Sequence, residues 1–132
     1  MPANRWLVKT EPSTYSFADL QREKRTRWDG VSNPVALKHL RGMAKGDEVM
    51  VYHTGDEKAI VGLARVAGAP YPDPKDPKLV VVDLEAVRPL PNPIPLSKIK
   101  ADRRFAELPL VRMGRLSVMP IPAETWPLLL AL

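Results

Sequence analysis

Two proline-dense segments bracket the strongest strand of this chain and limit how that strand can be joined to its neighbours. Tyr71 to Pro77 carries Pro72, Pro74 and Pro77, none with an N–H to give a partner strand, so this stretch is expected to be a loop outside any sheet. On the other side, Pro89, Pro91, Pro93 and Pro95 are expected to hold an extended connector. Between them Leu79 to Val87, rich in β-branched residues, reads as a strand.

The remaining elements are short. Arg5 to Lys9 reads as a buried first strand, Glu48 to His53 as a strand ending at the Thr54-Gly55-Asp56 turn, and Ala59 to Val66 as the next strand. Gly62 marks a bulge or a close approach there. Ser16, with Asp19 three residues on, opens a short helix through Leu20. Asn33 is a good N-cap and Pro34 sits where a missing N–H costs nothing, so a second helix begins there, and Gly46-Asp47 turns the chain beyond it. Ser97 is expected to cap one or two helical turns, and Gly114 to Met119 is the last strand candidate. Pro122 to Leu132 is read as a C-terminal helix that tolerates Pro127 only near its first turn. Short strands with few helices make an α+β domain over residues 1–132, a small β-barrel or curved mixed sheet with short helices around it. Periodicity does not separate barrel from open sheet.

Cysteine is absent, which excludes disulfides, thiolate chemistry and cysteine zinc sites. No apolar run approaches a membrane span, so a cytoplasmic monomer without membrane contact is the default expectation. Charge is concentrated. Residues 22–45 hold seven basic side chains against Glu23 and Asp29, and residues 98–115 hold six against Asp102 and Glu107. Such clustering suits a polyanion-binding face, and equally a pair of solvated helix surfaces.

The stretch from Trp28 to Arg41 joins an aromatic ring, a glycine turn, a helix start and a basic stripe. Lys38, Arg41 and Lys45, spaced i, i+3, i+7, are expected to share one helix face and to contact phosphate. Trp6 and Trp126 sit in apolar segments and read as core. Trp28 lies between polar residues, which leaves exposure and burial level; the functional reading makes it a pocket residue on which a base stacks. Glu11, at a strand end before Pro12, is a surface residue or an acceptor for the donor edge of a base. His53 reads as a hydrogen-bonding residue at a strand end rather than a catalytic base, and no catalytic triad, metal-ligand set or phosphate loop is visible.

Several segments, in order, resemble the EVE domain, a member of the PUA-like superfamily related to YTH domains. They are Trp6-Leu-Val-Lys-Thr-Glu-Pro12, Tyr15-Ser, Trp28-Asp-Gly-Val-Ser-Asn33 and Gly46-Asp-Glu-Val-Met-Val-Tyr-His53, followed by Val61-Gly-Leu-Ala, Tyr71-Pro-Asp-Pro74, Val81-Val-Asp and Leu110 to Val118. The resemblance, which extends to bacterial single-domain members, implies a PUA-like barrel and a non-enzymatic module, without cofactor or metal, that recognises a modified nucleobase. The base would be of the 5-methylcytosine or 5-hydroxymethylcytosine type in DNA, or a modified base in RNA. Carried over by position, the base-binding residues would be Thr10, Glu11 and Tyr15; Trp28, Gly30, Val31, Ser32 and Asn33; Tyr52, His53 and Thr54; and Arg115 and Ser117. Ser32 and Pro34 depart from the commoner arginine and tyrosine of the family. The competing readings are a nucleic-acid hydrolase on a PUA-like barrel and an adaptor that binds a partner protein through its basic faces.

Overall fold

The structure, a computed structural model, describes residues 4–132. Its first strand sets the topology. β1 (Arg5–Thr10) pairs in parallel with β3 (Glu48–His53), from Arg5 opposite Glu48 to Thr10 opposite His53, and antiparallel with β7 (Val118–Pro120). Parallel neighbours need a crossover. Residues 11–47 supply it as α1 (Phe17–Glu23), β2 (Arg25–Trp28) and α2 (Pro34–Arg41). β4 (Ala59–Val66) folds back on β3, and β6 (Asp76–Pro95) runs antiparallel to both β4 and β2. The order is β2-β6-β4-β3-β1-β7, with β5 (Tyr71–Asp73) on β6 beside this path. α2 packs against both β6 and β7, which stand toward opposite ends of that order, so the sheet must curl around it. The result is a mixed half-barrel with short helices around it, completed by α3 (Leu96–Lys100), a 3-10 turn (Arg103–Phe105), α4 (Pro109–Arg112) and α5 (Thr125–Leu130).

Burial of Leu7, Met50, Ile60 and Leu84 from the strands against Leu20, Leu40, Phe105 and Leu129 makes the core, at about 1.5–3 kcal/mol for each large side chain. Trp6 and Trp126 belong to it, as their apolar surroundings in the sequence imply. The buried Asp47 carboxylate accepts from the Trp6 Nε1–H and the backbone N–H groups of Asn4 and Ala44, fixing the start of β1 to the turn before β3. Both major helix starts are local. Ser16 and Asp19 form a reciprocal capping box, and Asn33 Oδ1 accepts from the N–H groups of Val35 and Ala36 with Pro34 at the first helical position.

Five expectations need correction. Tyr71–Asp73 is a strand: Tyr71 pairs with Val81 and Pro72 with Val80, because β5 has only one neighbour and an edge tolerates proline with its nitrogen on the open side. The second proline run is also paired, as the end of β6. Pro89 faces Gly62, Ile94 faces Ile60 and Pro95 faces Ala59, so Leu90 to Pro93 bulge out opposite Val61. α2 stops at Arg41 with Gly42 as its cap, so Lys45 lies on the following turn and shares no helix face with Lys38 and Arg41. Ser97 is inside α3, behind Pro95 at the cap. The last strand begins only at Val118, and Gly114 to Ser117 is turn and loop.

Candidate nucleic-acid interface

Trp28 ends β2 opposite Val82, and only 7% of its surface is exposed. It is part of the core as well as of a cleft wall, because β2 carries it onto the sheet rather than leaving it on a polar turn. Tyr15, on the turn between β1 and α1, stands edge-on to it, with ring centroids 6.2 Å apart and planes at 83°. The Tyr15 hydroxyl donates to the Glu23 carboxylate. Burial, and then this bond, push the phenol up to about 12, so the ring is a fixed neutral wall at physiological pH. Thr10, Thr26, Arg27 and Asp29 complete a cleft of about 270 Å³.

The turn beneath this cleft is occupied by its own bonds. Glu11 accepts from the Ser13 N–H (3.0 Å), the Ser13 hydroxyl (2.8 Å) and the Thr54 hydroxyl (3.3 Å). The Ser13 backbone bond is the first cause that holds its carboxyl below the usual range. Thr54 N–H donates to the Thr10 carbonyl, and Thr10 Oγ1 to the Tyr15 carbonyl (2.7 Å). His53 Nε2 accepts from the Phe17 N–H (3.0 Å), which leaves the proton on Nδ1 to donate to Glu57 (2.7 Å). Tyr52 is buried, with the Lys9 ammonium 5.6 Å from its ring centroid.

A second cleft, about 320 Å³, is lined by Asn33, Val35, Met113, Gly114, Arg115 and Leu116. Gly30, at φ 76°, is in the left-handed region and lets the chain turn from β2 toward α2. Val31 is buried and Ser32 exposed on the way. Ser117 contributes its carbonyl to the Lys9 N–H, while Lys9 Nζ donates to the Gly114 carbonyl (2.9 Å); burial lowers the Lys9 ammonium. Lys38 and Arg41 are exposed on α2, and Arg41 borders a groove of about 370 Å³ beside Tyr71. The Tyr71 hydroxyl donates to Asp83 (2.6 Å) and interacts with the Arg27 guanidinium, so Arg27 connects that groove to the Trp28 cleft. Lys45 precedes the Glu48 that faces Arg5, at the opposite end of β1 from Thr10.

The model of the EVE domain matches residues 4–132. This chain belongs to the EVE domain family. Mouse thymocyte nuclear protein 1 is 31% identical over an alignment, gaps included, of 166 positions that covers 98% of this chain and 74% of the mouse protein. The solution structure of a Rhodopseudomonas palustris protein, 39% identical, superposes with a TM-score of 0.93 over 98% of this chain and 92% of that one. Human THYN1 protein, in a crystal structure with 5-methylcytosine-containing DNA, is 28% identical and superposes with a TM-score of 0.90 over 98% of this chain and 96% of that one. The half-barrel is thus the PUA-like fold of EVE domains.

Of the residues expected at the site of this EVE domain, Thr10, Tyr15 and Trp28 line one cleft and Asn33 and Arg115 another. Glu11, His53 and Thr54 make the bonded turn below, and Tyr52 lies behind Lys9. Sequence reasoning missed Thr26, Arg27 and Asp29, since a four-residue strand with three polar positions shows no apolar alternation, and it missed Val35. Their one signal was position: Thr26, Arg27 and Asp29 flank Trp28 directly.

Proposed function

We propose that this EVE domain is a non-enzymatic module that binds DNA by taking a modified cytosine of the 5-methylcytosine type, turned out of the duplex, into the cleft beside Tyr15 and Trp28. The observation that carries this reading is the superposition over 98% of the chain on human THYN1, which was crystallised with 5-methylcytosine-containing DNA. The chemistry of the cleft is compatible. Cytosine offers an amine donor next to a ring-nitrogen acceptor. The Asp29 carboxylate accepts from the amine, and the Thr26 hydroxyl or Arg27 guanidinium donates to the ring nitrogen. Tyr15, the more exposed of the two rings, supplies the stacking face, with Trp28 nearly perpendicular beside it; Glu11 acts through Thr54 and Thr10 to hold the turn in place.

Extrusion of a base costs a few kcal/mol and stacking returns about 1–3 kcal/mol, so phosphate contacts must contribute. Lys38, Arg41 and Arg115 are the cations placed to make them. The engagement of both His53 ring nitrogens inside the fold supports a role without general-base catalysis.

The test compares binding of two short DNA duplexes that differ in one methylated cytosine, and of an RNA of the same sequence, by a domain assumed monomeric and checked by light scattering. The methylated duplex should bind more tightly; Tyr15→Ala should abolish the preference and Tyr15→Phe retain it. Equal affinity for both duplexes removes the base-reading role, and strand cleavage by the purified domain removes the non-enzymatic one.

A further inference from the structure

We infer that Met113 is a wedge that enters the DNA stack at the position vacated by the extruded base, backed by Val35. This inference rests on the base-extrusion reading above. Three large hydrophobic side chains are exposed among the described residues: Val35 (43%), Val87 (51%) and Met113 (47%). Two of these three, far apart in sequence, line one cleft. One continuous segment lines both this cleft and the proposed base site, Trp28 and Asp29 in one and Asn33 and Val35 in the other, and Lys9, next to Thr10 of the base site, bonds the Gly114 and Ser117 carbonyls of the Met113 turn.

The tip is held firmly. Met113 N–H donates to the Pro109 carbonyl (2.7 Å), and Leu116 N–H to the Met113 carbonyl (2.9 Å). Lys9 grips the same turn twice, from Nζ to the Gly114 carbonyl and from its backbone N–H to the Ser117 carbonyl, both at 2.9 Å. Buried Leu116 anchors it from below. A rigid turn that presents an apolar tip suits insertion between bases, and the unbranched, polarisable methionine side chain fits the flat face of a base. Arg112 and Arg115 flank the tip in sequence, both exposed, which complements the phosphates on either side of a vacated position. Arg112 is bonded to Glu107 at 2.7 Å, but both side chains are more than 60% exposed, and such a pair exchanges readily for phosphate.

A duplex has a stack to hold open and a single strand does not, so the wedge is tested by the difference. Affinities of wild type, Met113→Ala, Val35→Ala and Met113→Leu are measured for one 5-methylcytosine DNA as a duplex and as the methylated single strand. Met113→Ala should weaken duplex binding about tenfold and leave single-strand binding unchanged, with Val35→Ala weaker in the same direction and Met113→Leu near wild type. A 2-aminopurine beside the methylated cytosine should brighten less with wild type than with Met113→Ala, because the wedge restacks the gap. Equal losses on both DNA forms would make Met113 part of the base cleft and overturn the wedge. Unchanged duplex binding would overturn it too, as would wild-type binding of the methylated single strand alone, which leaves the base cleft standing. Absence of any preference for the methylated base in either form would remove the base-extrusion reading and the wedge with it.

Discussion

The ring of Phe17 fills the space that any side chain at position 62 would need: a Cβ on Gly62 would stand 2.4 Å from Phe17 Cζ. Phe17 opens α1, and its N–H donates to His53 Nε2, so one residue ties that helix to β4 by its ring and to β3 by a bond. Tyr15 precedes it by two residues. Gly62→Ala should therefore cost about 1–3 kcal/mol by overpacking and move the Tyr15 wall of the cleft. Denaturant unfolding and DNA affinity should fall together. Wild-type stability would mean that the ring yields without cost.

Trp28 is both core and cleft wall, and its replacement cannot isolate a binding role. Trp28→Ala should cost about 3–5 kcal/mol, the range for a buried large aromatic, and binding should fall with folding. Tyr15 is only half-buried and separates the two effects better. Tyr15→Leu should lose most affinity for methylated DNA at a stability cost of about 1 kcal/mol, the size of the lost hydroxyl bond to Glu23. Retained affinity in Tyr15→Leu would place the base on a different surface.

The parts of this fold visible in the sequence are those set by neighbours in the chain. The Ser16–Asp19 capping box and the Asn33-Pro34 helix start each depend on residues within three positions, and both form as expected. The proline segments were misread because a ladder depends on which edge a strand occupies. Pro72 sits on the one-sided strand β5, and Pro89 and Pro95 lie on the end of β6 that has β4 as its one partner strand, with the intervening Leu90 to Pro93 bulged out. The clefts divide the same way. Trp28 announces itself as a large aromatic beside a glycine turn, whereas Val35 and Met113 come to line one cleft only through the tertiary packing that brings β7 near α2. Glu11 looked available from the sequence, but Thr54, 43 residues away, and Ser13 already use its carboxylate.

Alkaline pH should reveal the Tyr15 environment. Its phenol ionises near 10.0 in the unfolded chain and at about 12 in the folded one, so the fold favours the neutral form. The resulting stability is whole below pH 10.0 and is lost as pH rises toward about 12. Tyr52 and Tyr71 are shifted in the same direction, the first by burial and the second chiefly by its bond to Asp83. Melting temperature should fall less steeply above pH 10.0 in Tyr15→Phe than in wild type, with the residual slope from the other two phenols. Parallel curves would show that Tyr15 ionises as freely in the fold as outside it.

Salt dependence should separate the cations that share a nucleic-acid footprint from those that do not. Lys38 and Arg41 lie one turn apart on the exposed side of α2, whose start borders the Met113 cleft. Each phosphate neutralised contributes about −0.9 to the slope of log affinity against log salt. Lys38→Ala and Arg41→Ala should each reduce the magnitude of that slope by about 1 on methylated and unmethylated duplexes alike, since phosphate carries no base identity. Lys45 differs. It sits past the Gly42 cap, next to the strand end where Glu48 faces Arg5, while the Trp28 cleft lies at the Thr10 end. Six residues of β1 span about 20 Å, twice the distance over which exposed charges act in ordinary salt. Lys45→Ala should leave the slope unchanged. An equal effect from all three would extend the bound DNA along the whole of β1, and no effect from any would move phosphate contact to the Arg112–Arg115 turn.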